Sequence, residues 1–283
     1  MMGWLEALIL GIVQGLTEFL PVSSSGHLAI GQALLGIDAS ENLLFDIVVH
    51  AATVLATIIV FRRQIWDLLK GLFRFRYNDE TDYILKICLS MVPVLLVGLF
   101  LEDWVEAMFA SLYCVGGALL ITSVLLYFSD AYARAHETAD AAAAGPEGEE
   151  RNGISWLQAF LIGLGQAFAV LPGLSRSGTT IATGLFCGVK REKVAQFSFL
   201  MVIVPILGEA FLKFLDVVTG SGEAVSAASA GPLALSVGFV AAFVSGLFAC
   251  KVMISIVRKA QLKWFALYCL LAGIAATVCA IVL

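Results

Sequence analysis

The segment Trp4-Leu-Glu-Ala-Leu-Ile-Leu-Gly11-Ile-Val-Gln14-Gly15-Leu-Thr-Glu18-Phe-Leu-Pro21-Val-Ser23-Ser24-Ser25-Gly26-His27 decides the fold. An apolar helix of this kind would cross a bilayer if it continued, but it stops at Pro21 and runs into three serines, a glycine and a histidine. Proline removes a backbone donor, and Ser and Gly behind it break a helix. Bare backbone at membrane depth survives only where protein or a wet cavity satisfies it. The segment is therefore expected to form a re-entrant hairpin that enters the membrane and turns back.

A second segment repeats the first. Trp4, Ala7, Gly11, Gln14, Ser23, Ser25 and Gly26 recur 152 residues later as Trp156, Ala159, Gly163, Gln166, Ser175, Ser177 and Gly178. Pro172 matches Pro21 with a slip of one residue. The apolar run Trp156–Leu171 again ends on a proline, with Gly173, Ser175, Arg176, Ser177, Gly178, Thr179 and Thr180 behind it.

The rest of the chain is membrane-like. It has 283 residues, 60% hydrophobic and 14% charged, against about 25% charged in a soluble domain. Six stretches reach the roughly 20 residues that a bilayer about 30 Å thick requires: Leu43–Phe61, Tyr83–Leu101, Met108–Phe128, Val194–Leu215, Pro232–Ile256 and Leu262–Leu283. No cleavable leader is expected, since the first basic residue is Arg62. Cys88, Cys114, Cys187, Cys250, Cys269 and Cys279 all sit in apolar runs without a Cys-x-x-Cys pair and read as small buried hydrophobes. The expected fold is thus an all-α integral membrane protein of six transmembrane helices plus two re-entrant helical hairpins.

Charge tests that layout. If neither hairpin crosses, the loops 62–82, 129–154, 188–193 and 257–263 share one side and hold 13 of the 17 Lys and Arg residues. The opposite loops hold no basic residue but carry Asp38, Glu41, Glu102, Asp103, Glu106, Asp216 and Glu223. The positive-inside rule places the first group in the cytoplasm and both termini outside. The net charge of −5 reports orientation in such a chain and points to no nucleic-acid partner. Each half, residues 1–130 and 155–283, is a hairpin plus three crossings. Three is odd, so the halves are expected to be inverted relative to each other, joined by a cytoplasmic linker at 131–154.

The broken tips carry the chemistry. Gln14 and Glu18 stand four apart and share a helix face. A carboxylate in an apolar helix costs a few kcal/mol or more, so Glu18 needs a metal or a buried Arg; a structural charge pair is the alternative. Ser23, Ser24, Ser25 and His27 offer hydroxyls, free amides at the next helix start and a base. Arg176 is the only basic residue in either hairpin, and its guanidinium suits bidentate binding of phosphate oxygens. Ser175, Ser177 and Thr180 flank it at a helix start, a natural anion cradle. This combination predicts a phosphate site, through a Ser nucleophile with a His base or through metal-assisted water; a carrier of an anionic substrate shows many of the same features. Asp46 and His50 are open between structural and functional roles, and Glu209 has no assigned role.

The two segments resemble the signature motifs of undecaprenyl-diphosphate phosphatases of the bacitracin-resistance type: Gln14-x-x-x-Glu18 running into Pro21-Val-Ser-Ser-Ser-Gly-His27, and Pro172-Gly-x-Ser-Arg-Ser-x-x-Thr180. That resemblance covers the whole chain. It implies hydrolysis of undecaprenyl diphosphate to undecaprenyl phosphate and inorganic phosphate, with Mg²⁺ or Ca²⁺, at a site opening to the periplasmic face of the bacterial inner membrane. Glu18 would hold the metal with Gln14 as a second candidate ligand, Ser24 and His27 would be nucleophile and base, and Arg176 would clamp the diphosphate. Gln14, Ser23, Ser25, Ser175, Ser177 and Thr180 would bind substrate. Because the first motif position is Gln14 rather than Glu, the site has one carboxylate fewer. The implied role is recycling of the lipid carrier for peptidoglycan synthesis, with bacitracin resistance; a carrier or flippase for undecaprenyl phosphate is the alternative, and a homodimer is a candidate assembly.

Overall fold

The structure, a computed structural model, describes residues 2–37, 42–101, 112–142, 151–208, 211, 230–259 and 262–282. Its elements are α1 (Trp4–Thr17), α2 (Ser24–Leu34), α3 (Leu43–Val60), α4 (Arg62–Leu72), α5 (Asp79–Phe100), α6 (Leu112–Ala142), α7 (Trp156–Phe168), α8 (Arg176–Phe186), α9 (Arg191–Met201), α10 (Pro232–Lys259) and α11 (Lys263–Val282). No strand occurs among the described residues.

Among the described residues, four stretches are long and apolar enough to cross a membrane: Asp79–Phe100, Leu112–His136, Pro232–Met253 and Lys263–Ile281. A fifth arises if α3 and α4, bent by 74° at their junction, are taken as one broken span. Their outward side chains are apolar and exposed, as at Leu99, Phe248 and Ile281. Surfaces of that kind belong in lipid. The protein is a helical, multi-pass membrane protein.

Two expected elements differ. The continuous span Val194–Leu215 is broken: α9 ends at Met201, Val202 is a turn, and helix resumes over 203–208. Pro205 has no N–H to give the Met201 carbonyl, which interrupts the ladder there. Most of the remaining expected span, with Glu209, lies outside the described residues, as do Asp38, Glu41, Glu102, Asp103, Glu106, Asp216 and Glu223. The expected linker from Ala131 is helical as far as Ala142, since its alanines are the best helix formers and extend α6 beyond the apolar stretch.

Both motif segments break into two helices where a break is expected. The α1 helix stops at Thr17 and α2 starts at Ser24; α7 stops at Phe168 and α8 starts at Arg176. Ser23 and Ser175 cap the second helices alike, their hydroxyls accepting from the N–H groups of Gly26 at 3.2 Å and Gly178 at 3.1 Å. Each cap satisfies a donor that a helix start leaves open. Ser23 carries the strain of this turn, with φ 67°, a conformation uncommon outside glycine.

Packing between the halves is reciprocal. The first hairpin's α1 lies along α10, and the second hairpin's α7 lies along α5. Glycines permit both contacts: a Cβ on Gly15 would collide with Ser245 and the Ala242 carbonyl, and one on Gly163 with the Ser90 backbone. Phe45 and Phe197, also 152 apart, are both fully buried. The tips meet, with Ser177 Oγ donating to the Leu20 carbonyl at 3.2 Å. The largest buried cluster joins Phe19 and Val22 beside one tip to Ile181, Phe197 and Phe199 beside the other.

Candidate active site

Glu18 follows the last turn of α1, its N–H bonded to the Gln14 carbonyl, and its side chain is 12% exposed. Burial of a carboxylate requires donors, and two converge on Oε2: Gln14 Nε2 at 2.8 Å and Ser24 Oγ at 2.5 Å. A third group, His50 Nε2, stands 3.9 Å away on α3. Gln14 is fully buried, and its Oε1 has no hydrogen-bond partner among the described residues. An orphaned buried amide oxygen is costly.

The break between α1 and α2 brings Ser24 back over Glu18, six residues earlier, where a continuous helix would have carried it away. Across the interface, Arg176 is the first residue of α8 and has no ion pair among the described residues. Glu18, Arg176 and Ser177 line one cleft together with Phe19, Thr53, Val54, Thr57, Ser198, Phe199, Val202 and Ile206.

The sequence-predicted residues divide into three groups. Gln14, Glu18 and Ser24 are bonded together, and Arg176 and Ser177 line the same cleft as Glu18. Ser23, Ser175 and Thr180 are almost fully buried and hold the helix starts. The Thr180 hydroxyl bonds the Arg176 carbonyl at 2.9 Å and the Ser198 hydroxyl. Ser25 lies beside Ser23, 3.4 Å between hydroxyls. His27 is not brought to Ser24. Its Nδ1 meets the Ser23 carbonyl at 2.7 Å and its Nε2 meets the Tyr268 hydroxyl at 2.7 Å, the two rings stacked 5.5 Å apart. A carbonyl only accepts, so Nδ1 carries the proton and, in a neutral ring, Nε2 accepts from Tyr268.

Asp46 accepts from Gln32 at 3.0 Å, and its carbonyl bonds His50 Nδ1 at 2.7 Å, which turns His50 Nε2 towards Glu18. Sequence reasoning missed Thr53, Thr57, Ser198 and Tyr268. Thr53 and Thr57 are spaced four apart in an apolar helix, a polar stripe legible on a wheel. Nothing in the sequence distinguishes Ser198 or Tyr268 from other residues in apolar runs.

For a divalent cation the donor set is hard oxygen: the Glu18 carboxylate and the orphaned Gln14 Oε1. No group of three His, Cys, Asp or Glu residues occurs among the described residues. One carboxylate with substrate phosphate oxygens is the usual way Mg²⁺ is held, so these residues fit a cation that arrives with or completes its shell on a phosphate.

The whole chain aligns with known proteins. The family model of the bacitracin resistance protein BacA matches residues 7–275. The undecaprenyl-diphosphatase of Bacteroides thetaiotaomicron is 54% identical over 275 residues, covering 97% of this chain and 98% of that protein. That of Parabacteroides distasonis is 53% identical, covering 98% of each, and that of Methanococcus vannielii 37% identical, covering 95% of this chain and 98% of that protein. With a match over nearly its entire length, the chain belongs to the bacitracin resistance protein BacA family.

Proposed function

We infer that the chain is a membrane phosphatase that hydrolyses undecaprenyl diphosphate to undecaprenyl phosphate and inorganic phosphate, recycling the lipid carrier of peptidoglycan synthesis and thereby conferring bacitracin resistance. The observation that carries the site assignment is the Ser24–Glu18 hydrogen bond of 2.5 Å at the edge of a cleft shared by Glu18 and Arg176. Hydroxyl, carboxylate and guanidinium come from two hairpins and would have no reason to converge without an anionic substrate.

In this reading the Arg176 guanidinium binds the terminal phosphate through parallel N–H bonds, aided by the Ser177 hydroxyl. Ser24 Oγ attacks the terminal phosphorus while its proton passes to Glu18 Oε2. The bond from that phosphorus to the bridging oxygen breaks, and undecaprenyl phosphate leaves as the anion. Water then attacks the phosphoserine and the P–Oγ bond breaks. Ser24 Oγ takes back the proton held on Glu18. One water proton passes to Glu18 and on to solvent, and the hydroxyl leaves as part of inorganic phosphate. Glu18 and Gln14 Oε1 would hold the divalent cation, whose charge offsets that of the diphosphate. His27 shapes the Ser23–Ser24 turn through the Ser23 carbonyl instead of acting as the base for Ser24.

The architecture around the site is read as an inverted repeat, residues 1–130 and 155–283, with 131–154 as the cytoplasmic connection. Support comes from the reciprocal α1–α10 and α7–α5 packing and the matched caps at Ser23 and Ser175. The bias of basic residues to one set of loops supports reading the Glu18 hairpin as opening to the outer side of the bacterial inner membrane. The carrier reading shares the central polar cleft, but the family's diphosphatases favour hydrolysis.

The test is phosphate release from a C55 prenyl diphosphate in detergent, with and without EDTA, comparing wild type with Arg176→Ala. Metal-dependent release that collapses in the variant upholds the assignment. A protein that binds the lipid yet releases no phosphate with Mg²⁺ or Ca²⁺ is a carrier.

A further inference from the structure

The α4 helix has no part in the cleft, yet its composition is unusual for a connector. It leaves α3 at 74°, so when α3 is near the membrane normal, α4 lies close to the membrane plane. Its residues sort by face. Ile65 and Leu68 pack on the core, and Gly71 lies under Glu80 of α5. Trp66, Leu69 and Phe73, spaced as one helical stripe, are exposed by 59%, 39% and 68%. Phe75 and Tyr77 continue the exposed apolar surface beyond the helix, at 89% and 59%.

Beside that stripe stand the bases. Arg62, Arg63, Lys70, Arg74 and Arg76 fall within fifteen positions of sequence, against Asp67 alone over 62–76. Arg63, Lys70, Arg74 and Arg76 form no ion pair among the described residues. Lys70 rests over the Trp66 ring at 5.4 Å, which keeps an ammonium at the depth of an aromatic anchor. Arg62 is partly spent, donating to the Ile59 carbonyl at 2.8 Å.

We propose that α4 and the turn behind it form an interfacial binding surface for anionic phospholipid headgroups on the side of the membrane opposite the Glu18 hairpin. Trp66, Leu69 and Phe73 enter the acyl boundary, and Arg63, Lys70, Arg74 and Arg76 meet lipid phosphates. Long basic side chains that flank an exposed aromatic and aliphatic stripe reach up to the headgroups while the stripe sits in the interface. Each basic residue near an anionic leaflet adds attraction that salt screens. A zwitterionic bilayer satisfies the apolar stripe equally well but leaves four cations without counter-charge. The excess of unpaired base is what selects the anionic lipid.

The test reads lipid contact and is independent of phosphatase activity. The full chain is reconstituted in nanodiscs containing equal mole fractions of brominated phosphatidylglycerol or brominated phosphatidylcholine. Tryptophan quenching is compared with that of Trp66→Phe to isolate the Trp66 component. The expected result is at least about two-fold stronger quenching of that component by the anionic lipid, reduced by salt. Replacing Arg63, Lys70, Arg74 and Arg76 together by Gln should erase the difference while quenching by phosphatidylcholine persists. Equal quenching by both lipids in the wild type overturns the headgroup preference, and absence of Trp66 quenching by either overturns the interfacial placement. Both refuting outcomes are read on wild-type protein with Trp66→Phe as background.

Discussion

Ser24 Oγ donates to Glu18 Oε2 at 2.5 Å, joining the first residue of α2 to the residue that ends α1. The pair exists because the helix breaks between them. A hydroxyl against a buried carboxylate is placed to lose its proton as it attacks, and the same oxygen is steadied by Gln14. Removing either partner should therefore abolish turnover more than binding. Ser24→Ala and Glu18→Gln are each expected to lower kcat by roughly 10²–10⁴-fold, with lipid binding retained. Single-turnover phosphate release and equilibrium binding of a prenyl diphosphate measure the two separately. A Ser24→Ala enzyme with wild-type kcat would move the nucleophile to water.

Arg176 offers a planar fork where Lys offers a single point charge. Arg176→Lys should keep part of the affinity but misplace the terminal phosphate, and Arg176→Ala should lose roughly 10²–10³-fold in kcat/KM. A steady-state comparison of the two variants checks the order. Equal activity of Lys and Arg at this position would mean that charge alone suffices.

Gln14 brings an amide where a carboxylate would bind a hard cation more strongly. Gln14→Glu should shift half-maximal activation to a severalfold lower Mg²⁺ or Ca²⁺ concentration, and Gln14→Ala should shift it higher. Titrating phosphate release against free metal after EDTA stripping gives both values. An unchanged midpoint in both variants would remove Gln14 from the cation's surroundings.

The close approach of α1 to α10 depends on the missing side chain at Gly15, where an added Cβ would overlap Ser245 and the Ala242 carbonyl. Gly15→Ala should destabilise by about 1–3 kcal/mol. Gly98→Ala, in an exposed helix position with nothing within 4 Å, should be neutral or slightly stabilising. Melting temperatures in one detergent decide this, and equal shifts for both would refute the packing argument.

Lys86 and Asp82, 2.7 Å apart and nearly inaccessible at 3% and 2% exposure, lie at the start of α5 with Tyr77 donating to the same carboxylate at 2.5 Å. Lys86→Met strands a buried charge and should cost about 3–5 kcal/mol. The double variant Asp82→Asn/Lys86→Met should recover part of that loss. A single variant with wild-type thermal stability would show that Asp82 finds its charge partner elsewhere.

Local chemistry in the chain itself determined a good deal of this protein. Pro, Gly and Ser punctuation placed both helix breaks within a few residues of Pro21 and Pro172, because backbone sterics act over one turn. Apolar run lengths located α5, α6, α10 and α11, because bilayer thickness fixes how many residues must be greasy. Paired motifs singled out Gln14, Glu18, Ser24 and Arg176, of which the first three are hydrogen-bonded together and Arg176 lines the same cleft as Glu18.

Tertiary structure decided the rest. Ser24 pairs with Glu18 while His27 turns to Tyr268, 241 residues away; side-chain direction at a broken tip depends on what packs against it, and no spacing rule encodes that. Ser198 reaches the cleft only because α9 lies against α8. The 74° turn into α4 likewise has no Pro or Gly at its junction to announce it, whereas the break at Val202 has a local cause in Pro205. Sequence periodicity specifies which face of each helix is apolar, whereas contacts between distant elements choose which polar atoms meet.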